Sequence, residues 1–158
     1  MSAEHEHFMA IAIEEAKRGR AAGEQPFGAV VARGGEVVCR TCSLKVSRSD
    51  VTAHSETLAV GMATQVLRTR TLTGCTFYCT CEPCPMCLGA ILNGGIDHLV
   101  MGARNRDVAR PDKLAFNFGD YTVERFAAMV GWNLKVVEGV LGDACIDLYR
   151  TAGVELTR

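Results

Sequence analysis

The sequence predicts a layered α/β domain, and two observations favour this fold class. Short β-rich runs alternate along the chain with segments of helical periodicity, which is typical of α/β domains and not of bundles or sandwiches. The chain has 158 residues, 48% of them hydrophobic, which is enough for one domain with a sizeable buried core. Because the sequence contains no repeat, linker or low-complexity tract, we expect a single domain over residues 1–158.

The N-terminal half is predicted to form a helix, a hairpin and a second helix. Apolar residues at helical spacing predict the first helix over residues 3–22, and Gly23 is a suitable stop. Two β-rich runs, residues 27–32 and 36–41, are separated by a pair of glycines that can supply the positive φ of a tight turn. Helical spacing returns over residues 54–67.

The C-terminal half continues the alternation with three strands and three helices. A helix over residues 84–93 is followed by two glycines, which commonly terminate helices. Residues 105–121 contain a proline and a glycine and are predicted to be irregular. The remaining strands are predicted at residues 75–80, 98–101 and 134–140, and the remaining helices at residues 123–130 and 143–150.

Charge and composition argue against several classes of function. Seventeen basic and eighteen acidic residues give a net charge of -1, so we do not expect a nucleic-acid partner or an anionic membrane surface, although these totals leave open a local basic patch. The N-terminus lacks the features of a secretory signal, and no apolar run reaches transmembrane length. We therefore expect a cytoplasmic protein whose eight cysteines are thiols, which disfavours a disulfide in the motif at residues 81–87.

That motif, C-E-P-C-P-M-C, has the features of a metal site at the start of a helix. Pro83 and Pro85 suit a first helical turn, where their missing N–H groups have no partner to lose. Cys84 and Cys87 then lie on one helical face, three residues apart, and can occupy two corners of a zinc tetrahedron. The unpaired N–H groups of a first turn would also stabilise thiolates.

A third ligand must come from elsewhere, and His54 in T-A-H-S-E is the candidate. Catalytic zinc commonly has three protein ligands and one position for water. Taken alone, His54 could equally cap a helix or lie at the surface. A second C-x-x-C, formed by Cys39 and Cys42, raises the alternative of a four-cysteine structural site. The 41 residues between the two pairs exceed the usual spacing of zinc ribbons, which disfavours that alternative.

The two motifs together resemble a known signature. H-S-E at 54–56 followed by P-C-P-M-C at 83–87 matches the H-x-E and P-C-x-x-C pattern of the zinc-dependent cytidine-deaminase-like superfamily. The stretches E-Q-P-F-G-A-V-V, D-V-T-A-H-S-E and C-E-P-C-P-M-C-L-G-A-I are similar to those of its guanine deaminases, cytosine deaminases and tRNA adenosine deaminases. The likeness runs from about residue 3 to residue 100.

The resemblance implies a fold, a cofactor and a set of site residues. The fold is a three-layer α/β/α arrangement, a mixed sheet of about five strands with helices on both faces. By the superfamily pattern, His54, Cys84 and Cys87 bind one zinc ion per chain, and Glu56 moves protons during hydrolytic removal of an exocyclic amine. Members of the superfamily are usually dimers or larger, so we expect a homodimer, with the helix at residues 84–93 as a suitable interface.

The substrate pocket is less well defined by the resemblance. Base deaminases of the superfamily commonly have an asparagine eleven residues before the zinc histidine, where this chain has Ser43, whose hydroxyl has a shorter reach. Aromatic residues within 105–121 could stack on a ring or form a subunit contact, and Asp112 or Asp120 could read a base edge. The candidate substrate-binding residues are Phe27, Ser43, Ser55, Phe116 and Phe118.

Three functions are compatible with these motifs. The leading prediction is release of ammonia from a free nucleobase, cytosine-like or guanine-like, or from a close azine analogue. The alternative is deamination of adenosine in tRNA. The pattern of residues 137–145 resembles that of tRNA adenosine deaminases, but the overall charge of the chain disfavours this function. The third is a noncatalytic partner subunit that retains the metal fold, which the presence of Glu56 argues against.

Overall fold

The computed structural model of the chain describes residues 2–108 and 118–150. The helices are α1 (Ala3–Ala21), α2 (Lys45–Arg48), α3 (Ser55–Leu67), α4 (Pro85–Asn93), α5 (Val123–Met129) and α6 (Gly142–Arg150). The strands are β1 (Gly28–Arg33), β2 (Glu36–Cys42), β3 (Thr76–Cys81), β4 (His98–Ala103) and β5 (Lys135–Val137). No helix in these ranges has the length and apolar content that crossing a membrane requires.

The five strands form one mixed sheet in the order β2-β1-β3-β4-β5. β1 is antiparallel to both β2 and β3, whereas β3, β4 and β5 are parallel. The predicted mixed sheet of about five strands with helices on both faces is confirmed. Because β3 and β4 are parallel, Cys81 and Ala103 lie side by side at one end of the sheet, and this end carries the site described below.

Alternate residues of the central strands point into two separate halves of the core. One half is covered by α3, α4 and α5, and the other by α1 and α6. This alternation is the period of two that a sheet buried on both faces imposes. Toward α3 and α4 point Val31, Phe77 and Leu99, and toward α1 and α6 point Val30, Tyr78 and Val100.

Two glycines allow α1 and α6 to approach the sheet closely. A Cβ atom at Gly28 would overlap the carbonyl oxygen of Ala12 on α1, and one at Gly102 would overlap the thiol of Cys145 on α6. Neither glycine has a positive φ, so the requirement is for space and not for backbone conformation. The layer opposite α3 and α4 is therefore packed directly against the strands.

The structure differs from the sequence-based expectations in two elements. α2 was not predicted, because its four residues carry no periodic signal and its first N–H groups are held by Glu24, about twenty residues earlier. β5 has three residues instead of the predicted seven. The chain leaves the sheet after Val137, since Gly139 adopts a φ of 75° and the side chain of Glu138 binds Arg104. The other elements agree with the predictions to within one or two residues.

Candidate metal centre

Three side chains suited to bind a metal converge where α3 and α4 begin. His54 is the residue immediately before α3, Cys84 is the residue immediately before α4, and Cys87 lies in the first turn of α4. The two sulfur atoms are 3.4 Å apart. Nδ1 of His54 lies 3.8 Å from Sγ of Cys84 and 3.4 Å from Sγ of Cys87. The fold thus brings together residues that are 30 and 33 positions apart in the sequence.

The spacing of these three atoms fits a zinc ion. Bonds of about 2.3 Å to sulfur and about 2.0 Å to nitrogen place tetrahedral ligands roughly 3.5 to 3.8 Å apart. The observed separations of 3.4, 3.8 and 3.4 Å agree with those values to within about 0.4 Å. One imidazole and two thiolates leave the fourth corner open and give the site no net charge. Within the described residues, this is the one group of three that could hold a metal.

The surroundings act on the two thiols in opposite directions. The residues sit at the N-termini of helices of thirteen and nine residues, whose partial positive charge stabilises anions. Hydrogen bonding between the two thiols, opposed by burial, holds the pKa of Cys84 well below its usual range, and the same bond raises the pKa of Cys87. Burial lowers the pKa of His54, but its hydrogen bond to Cys84 and the charge of Glu56 outweigh burial and raise it overall.

Glu56 lies in the first turn of α3, two residues after His54, and is 5% exposed. Because His54 precedes the helix in an extended conformation, helical geometry does not force the two side chains apart. Burial raises the pKa of Glu56, His54 opposes this shift, and Cys84 adds to it. The Ser55 hydroxyl donates to Oε2 of Glu56 at 2.9 Å. A buried carboxyl with a raised pKa beside a metal site is suited to accept and return a proton.

The candidate substrate residues occupy different surroundings. The ring of Phe27 lies 5.1 Å from that of Tyr149 on α6. The Ser43 side chain is buried, and its hydroxyl accepts a 3.5 Å hydrogen bond from the Lys45 N–H group at the start of α2. Phe118 is half-buried and packs near Tyr121, with ring centres 5.9 Å apart. Phe116 and Asp112 lie outside the described residues; Asp120 is exposed and binds Arg125.

The second cysteine pair does not join the metal site. Cys39 is buried in the half of the core covered by α3, and its thiol donates to the Ala59 carbonyl. Cys42 lies next to Arg18 of α1. Burial raises the pKa of Cys39 to about 11, which disfavours the thiolate that a metal requires.

Two residues beside the ligands make contacts that the sequence analysis did not assign to them. Glu82 is buried in the loop that carries Cys84, and Tyr121 donates a 2.7 Å hydrogen bond to the carbonyl of Pro83 in the same loop. A charged residue at the end of a buried strand was a usable signal for Glu82. Tyr121 belongs to the aromatic group of residues 105–121 that was expected to form a pocket wall or a subunit contact, and its bond to Pro83 could not be inferred because it joins segments 38 residues apart.

A family model for the cytidine and deoxycytidylate deaminase zinc-binding region matches residues 2–103. That range is more than half of the chain and contains all three candidate ligands and Glu56. The chain belongs to this family. Membership agrees with the geometry of the metal centre, and zinc is the metal that both indicate.

Relatives within the family are similar over much of the chain. The tRNA-specific adenosine deaminase of Bacillus subtilis is 41% identical over 98 residues, 62% of this chain and 61% of that protein. The enzyme of the same name from Haemophilus influenzae is 33% identical over 141 residues, 89% of this chain and 78% of that protein. The chain thus spans less than two thirds of the length of the Bacillus relative.

Solved structures resemble the whole described fold. A tRNA:A34 deaminase studied for A-to-I editing superposes with a TM-score of 0.76 and 29% identity over 90% of this chain and 98% of that one. A guanine deaminase from Nitrosomonas europaea superposes with a TM-score of 0.80 and 28% identity over 93% of this chain and 83% of that one. Shape alone therefore does not separate the two classes of substrate.

The relatives overturn two predictions made from the sequence. The expectation of a free nucleobase or azine substrate is wrong, as is the exclusion of a nucleic-acid partner, because the sequence relatives are named for adenosine in tRNA. The error came from using the net charge of the whole chain. Residues 17–48 contain seven basic and two acidic side chains, a local excess that the total of -1 conceals.

Proposed function

We propose that the chain is a zinc-dependent deaminase that converts adenosine to inosine in tRNA. The observation that carries this proposal is the similarity to the tRNA-specific adenosine deaminases, 41% identical to the Bacillus protein and extending over 89% of this chain for the Haemophilus protein. The likeness to the tRNA:A34 deaminase over 90% of the chain adds support. The reaction replaces the amine at C6 of adenine with oxygen and releases ammonia.

In this proposal Glu56 is the catalytic residue that moves protons. Zinc, when bound by His54, Cys84 and Cys87, supplies a water of lowered pKa, so that hydroxide is available near neutral pH. The Glu56 carboxylate would accept the proton that water loses and pass it to a ring nitrogen of the base, and a second proton, from the added hydroxyl group, would let the amine leave as ammonia. The hydrogen bond from Ser55 holds that carboxylate in place, and burial keeps competing bulk water away.

A group of basic residues at the end of the sheet that carries the metal centre supports a polyanionic partner. We define the basic edge as Lys17, Arg18, Arg20, Lys45 and Arg48, which belong to the second half of α1 and to α2. Lysine and arginine side chains supply most contacts to phosphates in nucleic-acid complexes. The basic edge therefore supplies the surface that the overall composition did not reveal.

The basic edge lies at the same end of the sheet as the metal centre. Lys45 is close enough to His54 for its charge to act on the pKa of the imidazole, and the N–H group of Leu44 donates to the carbonyl of Ala53, the residue before His54. The second half of α1 reaches this end too, because Gly19 packs against Cys42 at the end of β2. A strand of RNA entering the site would pass these side chains.

The test is deamination of tRNA measured beside deamination of free bases. Zinc-loaded protein is incubated with tRNA transcripts, then with cytosine, guanine and adenine, and inosine and ammonia are quantified. We expect inosine at an adenosine in tRNA and no ammonia from free bases. Glu56→Gln, with unchanged zinc content, should abolish the reaction. Ammonia from free bases with no inosine in tRNA would overturn the proposal, and inactivity on every substrate would favour a noncatalytic subunit.

A further inference from the structure

The loop that carries Cys84 has few hydrogen bonds of its own. β3 ends at Cys81 and α4 begins at Pro85, so three residues, Glu82, Pro83 and Cys84, connect them. Pro83 and Pro85 have no N–H groups, and no side chain caps the N-terminus of α4. The position of a zinc ligand therefore depends on contacts that reach this loop from other elements.

Glu82 makes the largest set of those contacts. Its side chain is 3% exposed. One carboxylate oxygen accepts hydrogen bonds from the N–H group of Val123, at 3.1 Å, and from the guanidinium of Arg104, at 3.0 Å. The other oxygen accepts from the N–H group of Asn105 at 3.1 Å. A buried carboxylate with three donors is held firmly, and it joins the loop to the end of β4 and the start of α5.

Tyr121 contacts the same loop at Pro83, the residue after Glu82. Its hydroxyl donates to the carbonyl of Pro83 at 2.7 Å, on the peptide that leads directly to Cys84. Burial raises the pKa of Tyr121, so the hydroxyl keeps its proton and remains a donor at neutral pH. The ring packs against Phe126 of α5, with centres 6.1 Å apart. The loop is thus attached to the α5 region at two successive residues.

Arg104 in turn fixes Glu82. Its side chain is only 12% exposed and binds three carboxylates. Besides Glu82, it holds Glu124 of α5 through two hydrogen bonds of 2.9 and 2.6 Å, and Glu138 after β5. Planar guanidinium groups are suited to such paired contacts. Arg104 therefore connects the metal loop with the elements that follow β4.

We infer that Glu82 is a positioning residue for the metal centre, with Tyr121 as its partner. Together they set the backbone of Pro83 and Cys84, so that the Cys84 sulfur lies within bonding distance of the zinc position. The role does not depend on which amine is the substrate, and it links zinc retention to the segment after β4, which supplies no metal ligand. Loss of either contact would leave all three ligand residues in the chain, but the position of Cys84 relative to the other two would be less well fixed.

The test measures zinc release and metal geometry, not turnover. Zinc-loaded wild type, Glu82→Gln and Tyr121→Phe are mixed with excess chromogenic chelator under conditions where all three remain folded. Contacts that orient metal ligands typically change metal affinity by about 10- to 100-fold. We expect release to accelerate roughly tenfold or more in Glu82→Gln and about threefold in Tyr121→Phe, which removes one hydrogen bond. Because both residues act on one loop, zinc release in the double variant should accelerate by less than the product of the two single-variant accelerations.

Glu15→Gln is the matched control. Glu15 is also a buried carboxylate, bound to Arg18 and Arg40 on the α1 side of the sheet. It should lose stability yet release zinc within about twofold of the wild-type rate. The visible spectrum of the cobalt-substituted protein should change in Glu82→Gln and stay unchanged in Glu15→Gln, since its intensity reports tetrahedral geometry.

Two results would overturn the inference. Equal acceleration in Glu82→Gln and Glu15→Gln would show that Glu82 only stabilises the fold. Wild-type release rates in Tyr121→Phe, together with an unchanged cobalt spectrum in Glu82→Gln, would show that the loop keeps its shape unaided. If Glu82→Gln does not fold, Tyr121→Phe decides alone, since it removes a single hydroxyl from a half-buried residue.

Discussion

If the basic edge contacts tRNA phosphates, removing its α2 members must weaken binding in a salt-dependent way. The variant is Lys45→Ala with Arg48→Ala, which deletes two positive charges from α2, the helix whose Lys45 lies near His54. Neither residue is a candidate metal ligand, and α2 keeps the hydrogen bonds from its first N–H groups to Glu24. We therefore expect the variant to fold and to retain zinc.

The magnitude follows from counterion release. Each phosphate contact contributes about 0.7 to 0.9 to the slope of log K against log salt concentration. Two contacts therefore account for roughly 1.4 to 1.8 of that slope. At about 0.1 M salt the loss corresponds to roughly 25- to 60-fold in affinity, or about 2 kcal/mol.

The assay is tRNA binding by fluorescence anisotropy at four salt concentrations, in a Glu56→Gln background that prevents turnover. The matched control is Arg33→Ala with Lys135→Ala, because both residues are exposed and lie at the opposite end of the sheet. It removes the same charge and should leave the slope nearly unchanged. Equal losses in the two double variants would refute the reasoning, since only overall charge would matter; so would an unchanged slope in the α2 variant.

Four further results are expected. Gly28→Ala should lower the free energy of unfolding by about 3 kcal/mol because its Cβ meets backbone, whereas Gly61→Ala, in open space on α3, should raise it by about 0.5 to 1 kcal/mol; urea denaturation measures both. Metal analysis should find one zinc per chain, and changing Cys39 and Cys42 to serine should not alter it. Burial opposes the hydrogen bonds from α2, but those bonds lower the pKa of Glu24 overall; its contribution to stability is therefore present above pH about 4.5 and lost as pH falls through the lower folded pKa. The difference in unfolding free energy between wild type and Glu24→Gln should shrink accordingly from pH 6 to pH 3. Light scattering should give twice the 17.0 kDa chain mass, and a monomer at micromolar concentration would contradict the expected homodimer.

Features encoded locally could be predicted from the sequence. Pro83 and Pro85 marked the start of α4, and helical periodicity placed α3 behind His54, so the ligands could be assigned to two helix starts. Features that depend on distant contacts could not. α2 is stabilised by Glu24, and the loop before Cys84 is held by Tyr121, 38 residues away from Pro83. Neither contact follows from spacing, because each depends on how elements pack.

The substrate was mispredicted for a different reason. Net charge is a sum over the whole chain, whereas a phosphate group interacts mainly with the charges that lie within about one Debye length of it. Arg33 and Lys135 contribute to the total as fully as Lys45, although they lie at the other end of the sheet. Once the fold places α2 beside His54, the distribution of charge becomes more informative than its sum.

The distribution of the metal ligands around β3 has a consequence for unfolding. His54 precedes β3 and the two cysteines follow it, so a zinc ion bound by all three would cross-link the chain on either side of that strand. The loop from His54 to Cys84 spans 30 positions, fewer than the more than forty residues that the β1–β3 pairing encloses. Because zinc binds the folded arrangement of its ligands, it would oppose separation of the elements that carry them.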